Sequence, residues 1–241
     1  DVYETFHTLA RLRGYNPAGY ISENTSLTIT VSGSNFAIGD VLYIPAWKKI
    51  ETGLEASDAD ESPINYATVN YITETIPTTA SFPYTFTSKP QVRQGDVLKL
   101  TYTGDDLIDN KLNLPLFNFD YDDDINDEQP SIEVVINEEM WNRVSDFYNL
   151  ISGLETTNTV YMMRYDKYQR YIIEFSSFRQ LPAPTDNIYI TILKSLGSKG
   201  GAGTGTITGK EDQFIYNQSK LLWCNKDQIT ITNAKATTGG A

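Results

Sequence analysis

The 241-residue sequence is too long for a stapled mini-protein and long enough to bury one large all-β core or two modest ones. Its formal charge of -12, from 31 acidic against 19 basic residues, repels phosphate backbones and sets nucleic acid aside as a partner. Apolar residues make up 40%, and the 16 Tyr, 10 Phe and 3 Trp suit pleated, half-buried surfaces, so strands are the expected element.

The one cysteine, Cys224, allows neither an internal disulfide nor a cysteine-based zinc site, which fits folding in a reducing compartment. No stretch approaches the ~18 apolar residues that span a bilayer, and no signal-peptide pattern is present, so membrane insertion is not expected. The start at Asp1 and the Gly-rich close are expected of a piece of a longer protein.

In chain order, Val2, Phe6, Leu9 and Leu12 recur near helical spacing, which predicts a short N-terminal helix stopped by Gly14 and Pro17. From Leu27 the period becomes two: Leu27, Ile29 and Val31 alternate with Thr28, Thr30 and Ser32, a half-buried strand closed by a Gly33-Ser34 turn. Further strands are predicted over 41–44, 67–72 and 97–102. The stretch 104–130 is rich in Asp and reads as a loop or a boundary between halves. Alternation returns over 132–136 and is followed by a short helical or turn segment carrying Trp141, Val144, Phe147 and Tyr148. Strands over 159–164, 171–175 and 188–193 come next, the first two forming a hairpin around Asp166-Lys167. Residues 197–205 are too Gly-rich for regular structure and predict a flexible loop or extended tie, with weaker strands over 213–216 and 228–232 beyond. The expected fold is mainly β: one or two β-sandwich-like domains, a short N-terminal helix and few other helices. Its expected division is a helix and linker over 1–24, a β domain over 25–196 whose halves part near 104–130, and an exit segment over 197–241.

Catalytic chemistry finds little to work with. His7 is the only histidine, so a nucleophile with a histidine base has one candidate, on a terminal helix where a surface role is the plainer reading. The acidic loop 120–128 places Asp120, Asp122 and Asp124 at the first, third and fifth positions of a Ca²⁺ loop. Ile125 then stands where the glycine is needed and Ser131 where the bidentate Glu is needed, so a solvated acidic loop is the preferred reading. The glycines of 197–205 lack the Gly-Lys-Ser/Thr ending of a phosphate loop. No catalytic residue, cofactor or metal site is therefore assigned. The Tyr- and Arg-rich hairpin of 161–171 presents residue types enriched at protein–protein contact centres, and Tyr161, Arg164, Tyr168 and Arg170 are the candidate contact surface.

Four stretches, in order, resemble the baseplate J-like family of baseplate wedge proteins from contractile phage tails. Leu9-Ala10-Arg11-Leu12-Arg13-Gly14-Tyr15-Asn16-Pro17 is similar to the family's A-x-L-x-G-Y-x-P helix end. Residues 132–137 with Trp141, Arg143, Val144 and Phe147 resemble V-x-V-N-x-x-x-W-x-R-V-x-x-F. The hairpin of 160–175, the Leu181-Pro182-Ala183-Pro184 turn and the strand of 188–192 resemble the family's hairpin and returning strand, and 229–240 its exit. One departure is Ser176-Ser177-Phe178, where members carry a tight F-G-D/N-G turn. The resemblance implies an architectural, non-enzymatic role: a central fragment that assembles with other wedge and hub proteins, and with further copies of itself, in a virion tail baseplate built in the host cytoplasm. The main rival is a carbohydrate- or receptor-binding β-sandwich in which Trp47, Tyr66, Tyr84 or Trp141 would stack on sugar rings. A glycosidase using paired carboxylates is a more distant rival.

Overall fold

A computed structural model describes residues 24–52, 64–115, 132–144, 157–165, 171–195 and 201–238. The expected N-terminal helix and the acidic loop 120–128 lie outside the described residues. The fold is mainly β, as the period-two pattern predicts, and the chain divides into two compact units. Among the described residues, a flanking unit takes those up to Val97 and from Ser195 onward, and a central unit takes those of Leu98–Lys194. The division falls at 97/98 and 194/195, and residues 229–233 return to pair with 27–31 in the first unit.

Sequence pattern explains that return. In the flanking unit, β1 (Asn24–Val31) and β18 (Ile229–Asn233) pair antiparallel from Leu27↔Asn233 to Val31↔Ile229. Ile29 and Ile231 face each other on the core side, while Thr30 opposes Thr230 on the other. Two alternating strands distant in sequence bury matching apolar faces, and a shift of either strand by one residue would turn its own apolar set to solvent. The seven-stranded sheet runs β15 (Gly209–Lys210), β3 (Lys49–Glu51), β4 (Asn65–Thr68), β7 (Gln91–Gln94), β1, β18, with β6 (Tyr84–Thr85) also on β1. A four-stranded sheet runs β17 (Leu222–Trp223), β16 (Tyr216–Asn217), β2 (Val41–Ile44), β5 (Ile72–Thr75). Leu27, Ile29, Ile50, Tyr66 and Val92 from the first sheet and Leu42 and Ile44 from the second share one core. Each fully buried aliphatic contributes about 1.5–3 kcal/mol.

The strand expected over 67–72 is two strands in two sheets. Thr68 ends β4 because its hydroxyl donates to the Pro45 carbonyl and accepts from the Lys48 N–H, while the backbone exchanges bonds with Trp47 and Lys48. The chain then turns, and β5 pairs with β2 from Ile44↔Ile72 to Val41↔Thr75. Among the described Gly-rich residues, 201–207 lacks regular structure but is tied down: Ile207 N–H donates to the Asn233 side chain, whose amide donates to the carbonyls of Gly203 and Lys235.

In the central unit a second seven-stranded sheet runs β8 (Asp96–Thr103), β14 (Asn187–Lys194), β10 (Ile132–Ile136), β11 (Glu139–Arg143), β12 (Val160–Tyr165), β13 (Tyr171–Phe175), β9 (Lys111–Asn113). The helical or turn segment expected to carry Trp141, Val144, Phe147 and Tyr148 is strand β11 at Trp141, and Phe147 and Tyr148 lie outside the described residues. Asn137 (φ 49°) and Glu138 (φ 69°) both take the left-handed conformation, the signature of a two-residue type I′ hairpin, which folds Trp141 back onto Val134. The Asn137 side chain holds the turn by donating to Asp186 and accepting from the Asn187 N–H. Trp141 then packs edge-on against Phe175, with ring centroids 5.3 Å apart at 89°.

Candidate functional site

Of the four residues expected to form a contact surface, the structure describes Tyr161 and Arg164, and these face different ways. β12 and β13 pair antiparallel from Tyr161↔Phe175 to Tyr165↔Tyr171, the expected hairpin partners. Tyr161, however, points into the core beside Trp141 and Phe175 and is only 2% exposed, so it is removed from the candidate surface. Its hydroxyl reaches the Ile132 carbonyl at 3.5 Å, and burial pushes its ionisation up, with a smaller opposing effect from Arg143. The physical reason is that β12 is covered on both faces: Val160 and Met162 are buried with Val144 on one, Tyr161 and Met163 on the other. Arg164 points outward with its side chain 46% exposed and forms an ion pair with Glu174 on β13. Tyr168 and Arg170 lie outside the described residues, as does His7.

Of the aromatic residues considered for sugar stacking, Tyr66, Tyr84 and Trp141 are core side chains and cannot present a ring face to solvent. Trp47 is half-buried, with its N–H on the Thr68 carbonyl. An aromatic row lies elsewhere, on the outer face of the four-stranded sheet, exposed at Trp223 and Tyr71 and half-buried at Tyr43 and Tyr216. Register sets Trp223 opposite Tyr216, Tyr216 opposite Tyr43, and Tyr43 opposite Thr73. Because Leu42 and Ile44 face the core, the alternate residue Tyr43 faces out, and the pairing carries Tyr216 and Trp223 with it. Trp223 lies edge-on to Tyr216 at 5.2 Å, Tyr71 sits 6.2 Å from Tyr43, and the Lys48 ammonium lies 4.9 Å over the Trp223 ring. Lys48 is also paired with Glu211 at 3.1 Å.

The inward row of the same register is Leu222, Asn217, Leu42, Glu74, and its two polar members pin the sheet. Asn217 donates to the Asn35 carbonyl and to Asp40, and accepts from the Lys220 N–H. Burial alone would raise the Asp40 carboxyl, but bonds from Asn217, the Ala37 N–H and Lys220 hold it below the usual carboxylate range. Glu74 accepts from the Tyr84 hydroxyl at 2.6 Å, from the Thr87 N–H and hydroxyl at 2.8 Å each, and from the Ser88 hydroxyl at 2.7 Å and N–H at 3.3 Å. Burial again opposes its ionisation and the five donors outweigh it, so the carboxyl titrates at about 2. Cys224 is buried, and that burial pushes its thiol up to about 11, far from a nucleophile poised near neutrality.

Each of these shifts is accounted for by burial or by bonds that tie strands to loops. Among the described residues no three His, Cys, Asp or Glu side chains converge to hold a metal ion, and no helix is long and apolar enough to cross a membrane. The outward aromatic row was not recognised in the sequence. The V-L-Y-I alternation at 41–44 signals an outward Tyr43, but Tyr216 and Trp223 sit in two-residue strands whose partners lie far away in sequence. No family model matches the chain, and no curated protein resembles it closely enough to count as a relative.

Proposed function

We propose that the chain is a non-catalytic assembly module, a fragment of a baseplate wedge protein in a contractile tail, acting through contacts with other wedge and hub proteins and further copies of itself. The observation that carries this reading is the ordered set of wedge-like stretches in the sequence. What supports it further is the placement of the middle stretches: 132–136, Trp141, the 160–165/171–175 hairpin and 188–192 are strands of one sheet, while 229–233 of the last stretch is a strand of the flanking unit. Perturbed carboxylates usually mark active sites, yet those of Glu74 and Asp40 are saturated by structural donors, which favours a scaffold over a turnover site.

Arg164 is the described residue of the hairpin that carries the contact. Its guanidinium is outward and only partly engaged by Glu174, and Arg at such a position is a common contact anchor. Charge reversal, Arg164→Glu, in the parent particle tests the reading: tail assembly is expected to fall while the isolated chain stays folded. Normal assembly and contraction of particles carrying Arg164→Glu together with Arg170→Glu would overturn the hairpin's role, and catalytic turnover by the purified chain would overturn the structural reading itself.

A further inference from the structure

We propose that the outward row Trp223, Tyr216, Tyr43 and Tyr71 on the four-stranded sheet is a binding platform for a neutral carbohydrate chain, with the Lys48–Glu211 pair as its hydroxyl-reading end. This goes beyond the assembly reading and uses a different unit from the β12–β13 hairpin.

Register is the first support. Trp223, Tyr216 and Tyr43 stand directly opposite one another across two inter-strand gaps, about 10 Å in all, and Tyr71, just before β5, lies diagonally beyond Tyr43 with ring centroids 6.2 Å apart. The row ends in Tyr71, 69% exposed, on one side and in Trp223, 38% exposed, on the other. Aromatic faces carry negative quadrupole charge, and the C–H faces of a pyranose ring are the complementary surface. An extended oligosaccharide offers a succession of such faces.

Bracing is the second. Trp223 is gripped by the edge contact with Tyr216 and by the Lys48 ammonium, and beneath the row Asn217 and Glu74 are locked by their inward bonds. Rings already fixed lose little conformational freedom when a ligand arrives. Two bulky residues at the Trp223 end also hold left-handed backbone, Trp47 (φ 62°) immediately before Lys48 and Leu221 (φ 55°) two residues before Trp223. Large side chains rarely adopt that conformation, and such departures concentrate at ligand sites.

Charge selects the ligand class. Lys48 is neutralised by Glu211, so the end of the row offers adjacent donors and acceptors without net charge, suited to vicinal hydroxyls. A phosphate backbone would need uncompensated cations, and the chain carries -12 overall. The outward neighbours Thr73 and Thr75 are exposed hydroxyl residues rather than the apolar centre of a protein interface.

The test uses the whole 241-residue chain on an array of neutral and charged glycans, followed by calorimetric titration of cello-, malto-, chito- and galacto-oligosaccharides. Binding of at least one neutral oligosaccharide is expected, weakened roughly tenfold by Trp223→Ala and two- to tenfold by the gentler Tyr71→Ala. Tyr189→Ala, on the exposed surface of the other unit, is expected to leave it unchanged. Should Trp223→Ala fail to fold, Tyr71→Ala still decides. Failure of every neutral glycan at millimolar concentration, or a hit that both variants bind as well as the parent, overturns the proposal. So does a concentration-dependent dimer broken by Tyr71→Ala without glycan binding, which would make the row a protein–protein surface.

Discussion

Replacing Glu74 by Gln is the most informative single change to the fold. The side chain is 5% exposed and its two oxygens divide five donors, with Tyr84 and Thr87 on Oε1 and Ser88 on Oε2. Gln keeps the volume but sets an amide NH₂ against either the Ser88 N–H or the Thr87 N–H, leaving at least one buried donor facing another. A carboxyl that titrates at about 2 in the fold against 4.5 unfolded is worth roughly 3 kcal/mol of stability once ionised in both states. The folded value lies below the unfolded one. That contribution is therefore fully present above about pH 5 and is lost as pH falls through 4.5 toward 2. Glu74→Gln is expected to lose about 2–4 kcal/mol at pH 7 and to converge on the parent near pH 2. Urea unfolding followed through the amide exchange of β2 and β5, at pH 7 and stepwise down to 2.5, measures both. A loss under about 1 kcal/mol at pH 7, or an unchanged pH slope in the variant, would refute the claim that this carboxylate pins the sheet.

Gly104→Ala is expected to destabilise the central unit by about 3 kcal/mol, because its Cβ would lie 1.9 Å from the Ala183 carbonyl oxygen, whereas Gly39→Ala, open around its Cβ but at φ +85°, costs about 1–2 kcal/mol. Thermal melts of the two variants give the comparison. Asn233→Ala removes the acceptor for Ile207 and the donor to Gly203 and Lys235, and is expected to cost about 2–3 kcal/mol, with faster amide exchange at 203–207 as its local mark. Arg164→Glu breaks a pair whose Glu174 side chain is only 18% exposed and sets two carboxylates together, and is expected to cost the isolated chain about 1–2 kcal/mol without unfolding it in the same melts.

Strands with clean alternation were legible in the sequence because one buried face imposes the period: Leu27, Ile29 and Val31 in β1, Ile132, Val134 and Ile136 in β10, Tyr171, Ile173 and Phe175 in β13. Where both faces are covered, the pattern loses its direction. β4 is buried at all four positions and β12 carries Val160, Tyr161, Met162 and Met163 inside, so the end of one and the inward Tyr161 of the other could not be read from alternation. β11 depended on Asn137 and Glu138 both adopting positive φ, and Glu at the second position of a type I′ turn is not the expected Gly. The aromatic row was hidden for another reason. Its members come from 43, 71, 216 and 223, and only the pairings of β17 with β16, β16 with β2 and β2 with β5 make them neighbours. In the same way, Ile229 and Ile231 announced a strand but not that its partner was β1.

The central claim, that the chain is an assembled part of a contractile-tail baseplate, is met most directly by tagging it in its parent particle and locating the tag by immunogold labelling of purified, uncontracted tails. The account predicts repeated labels at the base of the tail, around the hub. Complete, contractile particles that carry no label, with the tagged chain left in the unassembled fraction, would contradict it.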